Sequence, residues 1–207
     1  TSTAVTLANT SGAVLDVNGK TQTIASLAGG RGTGGNVTLG AGTLTVNGST
    51  STTYSGVISG TGGALVKNGT STLTLAGANS YTGATTISAG TLKLGTAGSG
   101  ANSPLGTTGA GTTVSATGAA LDLNGYTLAT AEGLTLNGTG ISSGGALVNS
   151  SGTAVSYSGN IGLGSASSIG TTGDITLSGV VSGGFALTKV GVGTLIKKRN
   201  NCHSCWR

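Results

Sequence analysis

The sequence predicts an all-β chain wound as a parallel β-solenoid. Three observations carry that expectation. Glycine supplies 42 of the 207 residues, short Leu/Thr alternations recur along the chain, and whole segments repeat one another. A helical bundle cannot absorb so much Gly. Collagen needs a strict three-residue Gly period with abundant Pro, and this chain has a single Pro. Charged residues at 6% are too few for a disordered chain, and no apolar run is long enough for a membrane-spanning helix.

The strands come first in the argument. Thr43-Leu44-Thr45-Val46, Thr72-Leu73-Thr74-Leu75, Thr91-Leu92-Lys93-Leu94, Leu134-Thr135-Leu136 and Ile175-Thr176-Leu177 alternate apolar and polar residues. Successive side chains of a strand point to opposite faces, so Leu and Val line a buried face while Thr and Lys meet solvent. The corners come next. Asn18-Gly19, Asn47-Gly48, Asn68-Gly69, Asn124-Gly125 and Asn137-Gly138 stand between strands, and Asn-Gly supplies positive φ at little steric cost.

Repetition then chooses the architecture. GAVLDVNGKTQTIA from Gly12 matches GAALDLNGYTLATA from Gly118, and YSGVISGTGGALVKNGTSTL from Tyr54 matches LSGVVSGGFALTKVGVGTL from Leu177. Residues 1–195 thus read as roughly two copies of a unit of about 110 residues built from shorter strand–turn modules. Asn-Gly corners also suit hairpins, so an antiparallel β-sandwich is the alternative. Tandem modules, few aromatics and small corner residues favour the solenoid. Rungs of ~20–25 residues stacked ~4.8 Å apart give roughly 8–10 rungs, a rod about 40–50 Å long.

The net charge of +5 is concentrated at one end. Lys197, Lys198, Arg199 and Arg207 belong to the final residues; without them Lys20, Arg31, Lys67, Lys93 and Lys189 face Asp16, Asp122, Glu132 and Asp174. A nearly neutral body with no basic face excludes nucleic acid as a partner. Residues 196–207 abandon the Gly-rich composition and hold Cys202, His203, Cys205 and Trp206. They read as foreign sequence: a frameshift, a vector scar or a truncation artefact. Cys202-x-x-Cys205 lacks the βαβ context of a redox motif and the second ligand pair of a zinc site. The N-terminal TSTAVTLANT has no basic or apolar signal region, so the chain is expected to be cut from a longer protein.

One stretch goes beyond fold class. LVKNGTSTLTLAGANSYTGATTISAGTLKLG, from Leu65 through Gly95, resembles the autotransporter-associated β-strand repeat of bacterial passenger domains. Leu65, Lys67, Gly69, Thr72, Leu73, Leu75, Gly77, Asn79, Tyr81, Gly83, Thr85, Ile87, Gly90, Leu92 and Leu94 carry the resemblance. Ser71 departs from it where the family usually has Gly. A second copy starts at Leu187 with Lys189, Gly191, Gly193, Thr194 and Leu195, then breaks off at the aberrant tail. The resemblance implies a type V secretion passenger from a Gram-negative bacterium, folded as a right-handed parallel β-helix. It also implies a secreted or cell-surface location, with outer-membrane association only through a C-terminal barrel. Six aromatics cannot furnish the girdles of such a barrel, so none is expected in this sequence. A body without Cys suits export.

Chemistry is sparse. The only His is in the tail, which leaves the body without a His-dependent triad. Asp16 and Asp122 precede Asn-Gly in the two matching segments; at about five rungs, or ~24 Å, they are too far apart for a glycosidase pair, which needs ~5–9.5 Å. They are expected as turn residues, and Glu132 and Asp174 as isolated surface groups. Gly30-Arg31-Gly32-Thr33-Gly34-Gly35 matches G-x-G-x-x-G, but strand-like sequence follows where a dinucleotide site needs a helix. Tyr54, Tyr81, Tyr126 and Tyr157 are expected to fill or cap the core; clustered outside, they would stack on sugars. No catalytic, cofactor-binding or metal-ligating residues are assigned.

The expected function is a non-catalytic β-helical rod, an adhesin or stalk, with a host matrix protein, cell-surface molecule or glycan as ligand. End-to-end or edge self-association is expected of unpaired terminal strands. Two alternatives stand beside it. Outward Thr43/Thr45 and Thr72/Thr74 raise an ice-binding solenoid, and the fold class raises a polysaccharide-cleaving enzyme.

Overall fold

The computed structural model describes residues 2–32 and 34–198. Its strands follow one another in rungs. The first three rungs are β1 (Ala4–Leu7), β2 (Val14–Asp16) and β3 (Gln22–Ile24); β4 (Ser26–Gly29), β5 (Asn36–Thr38) and β6 (Thr43–Val46); β7 (Thr52–Tyr54), β8 (Ile58–Ser59) and β9 (Ala64–Lys67). The next three have two strands each: β10 (Thr72–Leu75) and β11 (Thr85–Ile87), β12 (Gly90–Leu94) and β13 (Thr112–Val114), β14 (Ala119–Asp122) and β15 (Leu134–Gly138). The last rungs are built from β16 (Leu147–Asn149), β17 (Val155–Tyr157), β18 (Ile161–Thr171), β19 (Ile175–Leu177), β20 (Val181–Ser182), β21 (Leu187–Val190) and β22 (Leu195–Lys197). Together they make about nine rungs.

Stacking of equivalent strands forms three faces. Face A runs β1-β4-β7-β10-β12-β14-β16, then the C-terminal half of β18 and β21. Face B holds β2-β5-β8 at one end and β17-β19-β22 at the other. Face C runs β3-β6-β9-β11-β13-β15, then the N-terminal half of β18 and β20. Long β18 bends around the corner from C to A and joins both faces into one sheet. Every strand pair is parallel, which rules out the antiparallel sandwich: the Asn-Gly corners feed the next face, not a hairpin.

Rung length is set by what the corners carry. Leu73 stands beside Leu92, nineteen residues on, whereas Leu92 stands beside Leu121, twenty-nine on. The extra chain is the 95–111 segment, anchored by Asn79 Nδ2 donating to the Pro104 carbonyl at 2.7 Å and by buried Leu105. The range is therefore wider than the expected 20–25.

The core is a set of inward lines. On face A, Leu73, Leu92, Leu121, Leu147 and Ile169 stack in register, all at most 1% exposed. On face C the line is Ile24, Val46, Lys67, Ile87, Val114 and Leu136. Each buried aliphatic contributes ~1.5–3 kcal/mol, and the same line continues the next rung's core. Tyr54, Tyr81 and Tyr157 are buried within the rungs, as expected; Tyr126 is the exception, 37% exposed.

Most Asn-Gly corners use the left-handed region, as at Asn18 (φ 51) and Gly19 (φ 68), or Gly69 (φ 100). Asn47-Gly48 does not. A Cβ on Gly48 would lie 2.1 Å from the Ala25 carbonyl oxygen, so this Gly answers to close contact between rungs.

The matching segments found in the sequence do not fall on the same face. Asp16 is on face B and Asp122 on face A; Leu65-x-Lys67 is on face C and Leu187-x-Lys189 on face A. The module specifies a strand and its corner, not a position around the rod.

Candidate functional site

The outward positions of face C form a ladder of hydroxyls. Thr23 pairs with Thr45, Thr45 with Val66, Val66 with Thr86, Thr86 with Thr113, and Thr113 with Thr135, before Gly162 and Ser182. Consecutive members are ~4.8 Å apart because that is the spacing of hydrogen-bonded strands. β-branched Thr is placed there by the period-two alternation, with its apolar neighbours turned inward. A groove of about 370 Å³ opens on this ladder, where Thr108 and Ala110 of the long segment flank Thr113, Thr135 and Asn160. Its lining carries no charged side chain and mixes hydroxyl, amide and Gly backbone with Ala110 and Leu134.

Face A carries a second, smaller groove of about 270 Å³. Thr91, Ala120, Asp122 and Val148 form its floor, and Ile141, Gly144 and Gly145 its wall. The wall is conformationally unusual, since Ser142 and Ser143 have φ of 49° and 57°. Beside it Asp122 ties three rungs together. Its Oδ1 accepts from the Asn124 and Ser150 backbone N–H at 2.9 and 3.1 Å, and its Oδ2 from Ser150 Oγ at 2.6 Å. Lys93 Nζ is 3.5 Å from the same Oδ2.

Asp16 and Asp122 share the expected turn role. Each accepts from the backbone N–H two residues on, Asp16 from Asn18 at 2.7 Å. They lie on rungs one and six and on different faces, which separates them as carboxylates. Asp174 also accepts across rungs, from Thr194 N–H at 2.7 Å.

Glu132 corrects the sequence reading. It is not a surface group: its side chain is buried, Oε1 accepts from Thr112 Oγ1 at 3.0 Å, and Oε2 has no partner. Burial pushes its carboxyl up to about 7. The signal was present in the alternation Leu128, Thr130, Glu132, Leu134, Leu136, which puts Glu132 on the Leu side. Lys67 follows the same logic. It alternates with Leu65, is fully buried, and burial lowers its ammonium to about 8.

The remaining candidates are dispersed. With Tyr54, Tyr81 and Tyr157 inside, Tyr126 has no exposed Tyr partner with which to stack on a sugar. Arg31 and Gly34 exchange backbone hydrogen bonds of 3.0 and 2.8 Å in a tight turn that leads into β5, so the Gly-rich motif opens no helix. Cys202, His203, Cys205 and Trp206 lie outside the described residues. Among the described residues no group of three His, Cys, Asp or Glu side chains converges.

Residues 65–94 match the family of the passenger-associated-transport-repeat. The chain is also 44% identical over 61 residues to the adhesin BmaC autotransporter of Brucella suis biovar 1 (strain 1330), a match covering 28% of this chain and 2% of that protein. The chain thus spans a small fraction of the length of the curated relative it matches. No solved structure matches it. The family match falls on the stretch from Leu65 that carried the resemblance in the sequence, and bears it out. In repeat and in fold the chain resembles an autotransporter passenger.

Proposed function

We propose that this chain is a segment of an autotransporter passenger: a non-catalytic β-helical rod, secreted or displayed at the Gram-negative cell surface, that acts as an adhesin or as the stalk presenting one. The observation that carries this reading is the passenger repeat at 65–94, which builds consecutive strands β9 to β12 of an unbroken parallel solenoid. The name of the matched relative, an adhesin, supports the adhesive reading. Neutral hydroxyl ladders make many weak, distributed contacts, and a groove opens on face C beside Thr113 and Thr135.

The test is binding of the purified 207-residue chain to an array of matrix proteins, glycans and host cells. The adhesive reading expects saturable binding that Thr113→Arg with Thr135→Arg weakens while the unfolding midpoint holds. Uniform absence of binding in a cooperatively folded sample overturns it and leaves a spacer. Turnover of a polysaccharide by the same sample contradicts a non-catalytic rod. The ice-binding alternative needs a regular outward array, and here Val66 and Gly162 interrupt face C while Lys93 and Asp122 interrupt face A. Recrystallisation inhibition would revive it.

A further inference from the structure

The corner that carries the sixth rung into face C contains the buried carboxyl. Leu128, Thr130, Glu132 and Leu134 all turn inward there, and Glu132 is 1% exposed. Two oxygens at this corner, Glu132 Oε2 and Thr130 Oγ1, have no hydrogen-bond partner. The corner is seated tightly against the seventh rung. Tyr157 donates its hydroxyl to the Glu132 carbonyl at 2.8 Å, and a Cβ on Gly159 would come within 1.6 Å of that carbonyl oxygen.

Among the described residues no positive charge compensates an anion at this site. Thr112 approaches from β13 of the fifth rung, Tyr81 from the fourth and Tyr157 from the seventh. Burial raises both phenols, so they stay neutral through the physiological range. The ion pair between Lys93 and Asp122 lies on the outside of face A, and among the described residues no cation contributes to the state of Glu132. As an anion, Glu132 has one side-chain hydrogen bond and one bare buried oxygen, an arrangement the interior penalises heavily. As a neutral acid it leaves only an uncharged oxygen unpaired, a much smaller cost.

We propose that Glu132 is a proton-operated latch on rungs five to seven: with its carboxyl neutral the corner stays closed on the core, and loss of the proton opens it to water. The raised carboxyl agrees with this geometry. Its ordinary value is 4.5 and its folded value about 7, so the folded chain binds more protons between the two. Stability from this group is therefore complete below 4.5, declines as pH rises towards 7, and is lost above it. The decline is local because the Glu132 side chain bonds Thr112 of the fifth rung and its carbonyl bonds Tyr157 of the seventh.

Hydrogen exchange of the full chain at pH 5.5 and pH 8.5, corrected for intrinsic rates, tests the latch. Peptides spanning 112–136 and 155–161 are expected to lose about tenfold or more of their protection at the higher pH, relative to peptides within 36–59. Glu132→Gln keeps an acceptor for Thr112 and cannot ionise, so its protection is expected to be equal at both pH values. The same loss in Glu132→Gln, or pH-independent protection in the parent, overturns the proposal. Should Glu132→Gln fail to fold, Thr112→Val provides the second arm. It removes the hydrogen bond that favours the anion, so the transition moves to higher pH; an unmoved transition contradicts the latch.

Discussion

Lys67 closes its own corner. Its Nζ donates to the carbonyl oxygen of Gly69, two residues on, at 2.7 Å, and to that of Ala89 in the next rung at 3.2 Å. Gly69 has φ 100°, and a Cβ there would meet the Gly48 carbonyl oxygen at 2.6 Å, so Lys and Gly form one unit. Lys189 repeats the bond to Gly191, which has φ 82°. The first copy turns the chain from face C to face A, the second from A to B. One module thus serves different corners of the rod.

Removing the lysine from the buried copy should be costly and from the exposed copy nearly silent. Lys67→Met strips two carbonyls of their charged donor, for about 1–3 kcal/mol in urea unfolding. Lys189 is exposed in the last described rung, so Lys189→Met should stay within ~0.5 kcal/mol. Equal effects would dissociate the bond from the corner's stability.

Lys67 also predicts a rise of stability in alkali. Its ammonium lies at about 8 in the folded chain against an ordinary 10.5, so the unfolded chain binds more protons between these values. Relative to Lys67→Met, the parent should gain stability as pH rises from 8 towards 10.5. Urea midpoints of both proteins at pH 8 and 10 check this; an equal change in the two would reverse the assignment.

Asp122 should matter more as an acceptor than as an ion. Asp122→Ala leaves the Asn124 and Ser150 N–H groups without their carboxylate, a loss of about 1–3 kcal/mol. Lys93 is partly exposed, so Lys93→Ala should cost at most ~1 kcal/mol. Thermal unfolding of the two variants side by side reads the difference.

Inward and outward positions of one strand should respond oppositely. Leu92→Asp buries an unpaired carboxylate in the face A line and should cost several kcal/mol or prevent folding. Thr74→Asp places the same group outside, next to Lys93 in register, and should change stability by no more than ~0.5 kcal/mol. An unchanged midpoint for Leu92→Asp would contradict the inward line.

Much of this was legible in the sequence, for reasons that also define its limits. Thr72-Leu73-Thr74-Leu75 alternates cleanly, and period two alone assigns its faces. Rung length followed from the spacing of such strands, apart from 95–111, where no alternation marks a strand. Which face a module occupies was hidden, because corner length accumulates along the chain and a local pattern does not record it. Glu132 and Lys67 are masked in the sequence by their charge; each sits in step with Leu neighbours, and phase, not charge, sets their burial. The face C ladder needed the register itself, since Thr86, Thr113 and Thr135 are far apart in sequence and adjacent only when stacked.

That register is the most direct test of the parallel solenoid. In a chain with Cys202 and Cys205 replaced by Ser, Thr86→Cys with Thr113→Cys puts two thiols on adjacent strands, ~4.8 Å apart and within disulfide reach. Thr86→Cys with Thr135→Cys spans two rungs, ~9.6 Å, beyond that reach. Mild oxidation followed by mass spectrometry is predicted to show a near-complete disulfide in the first pair and free thiols in the second. Free thiols in the first pair, or equal cross-linking in both, would contradict the stacked rungs on which everything else rests.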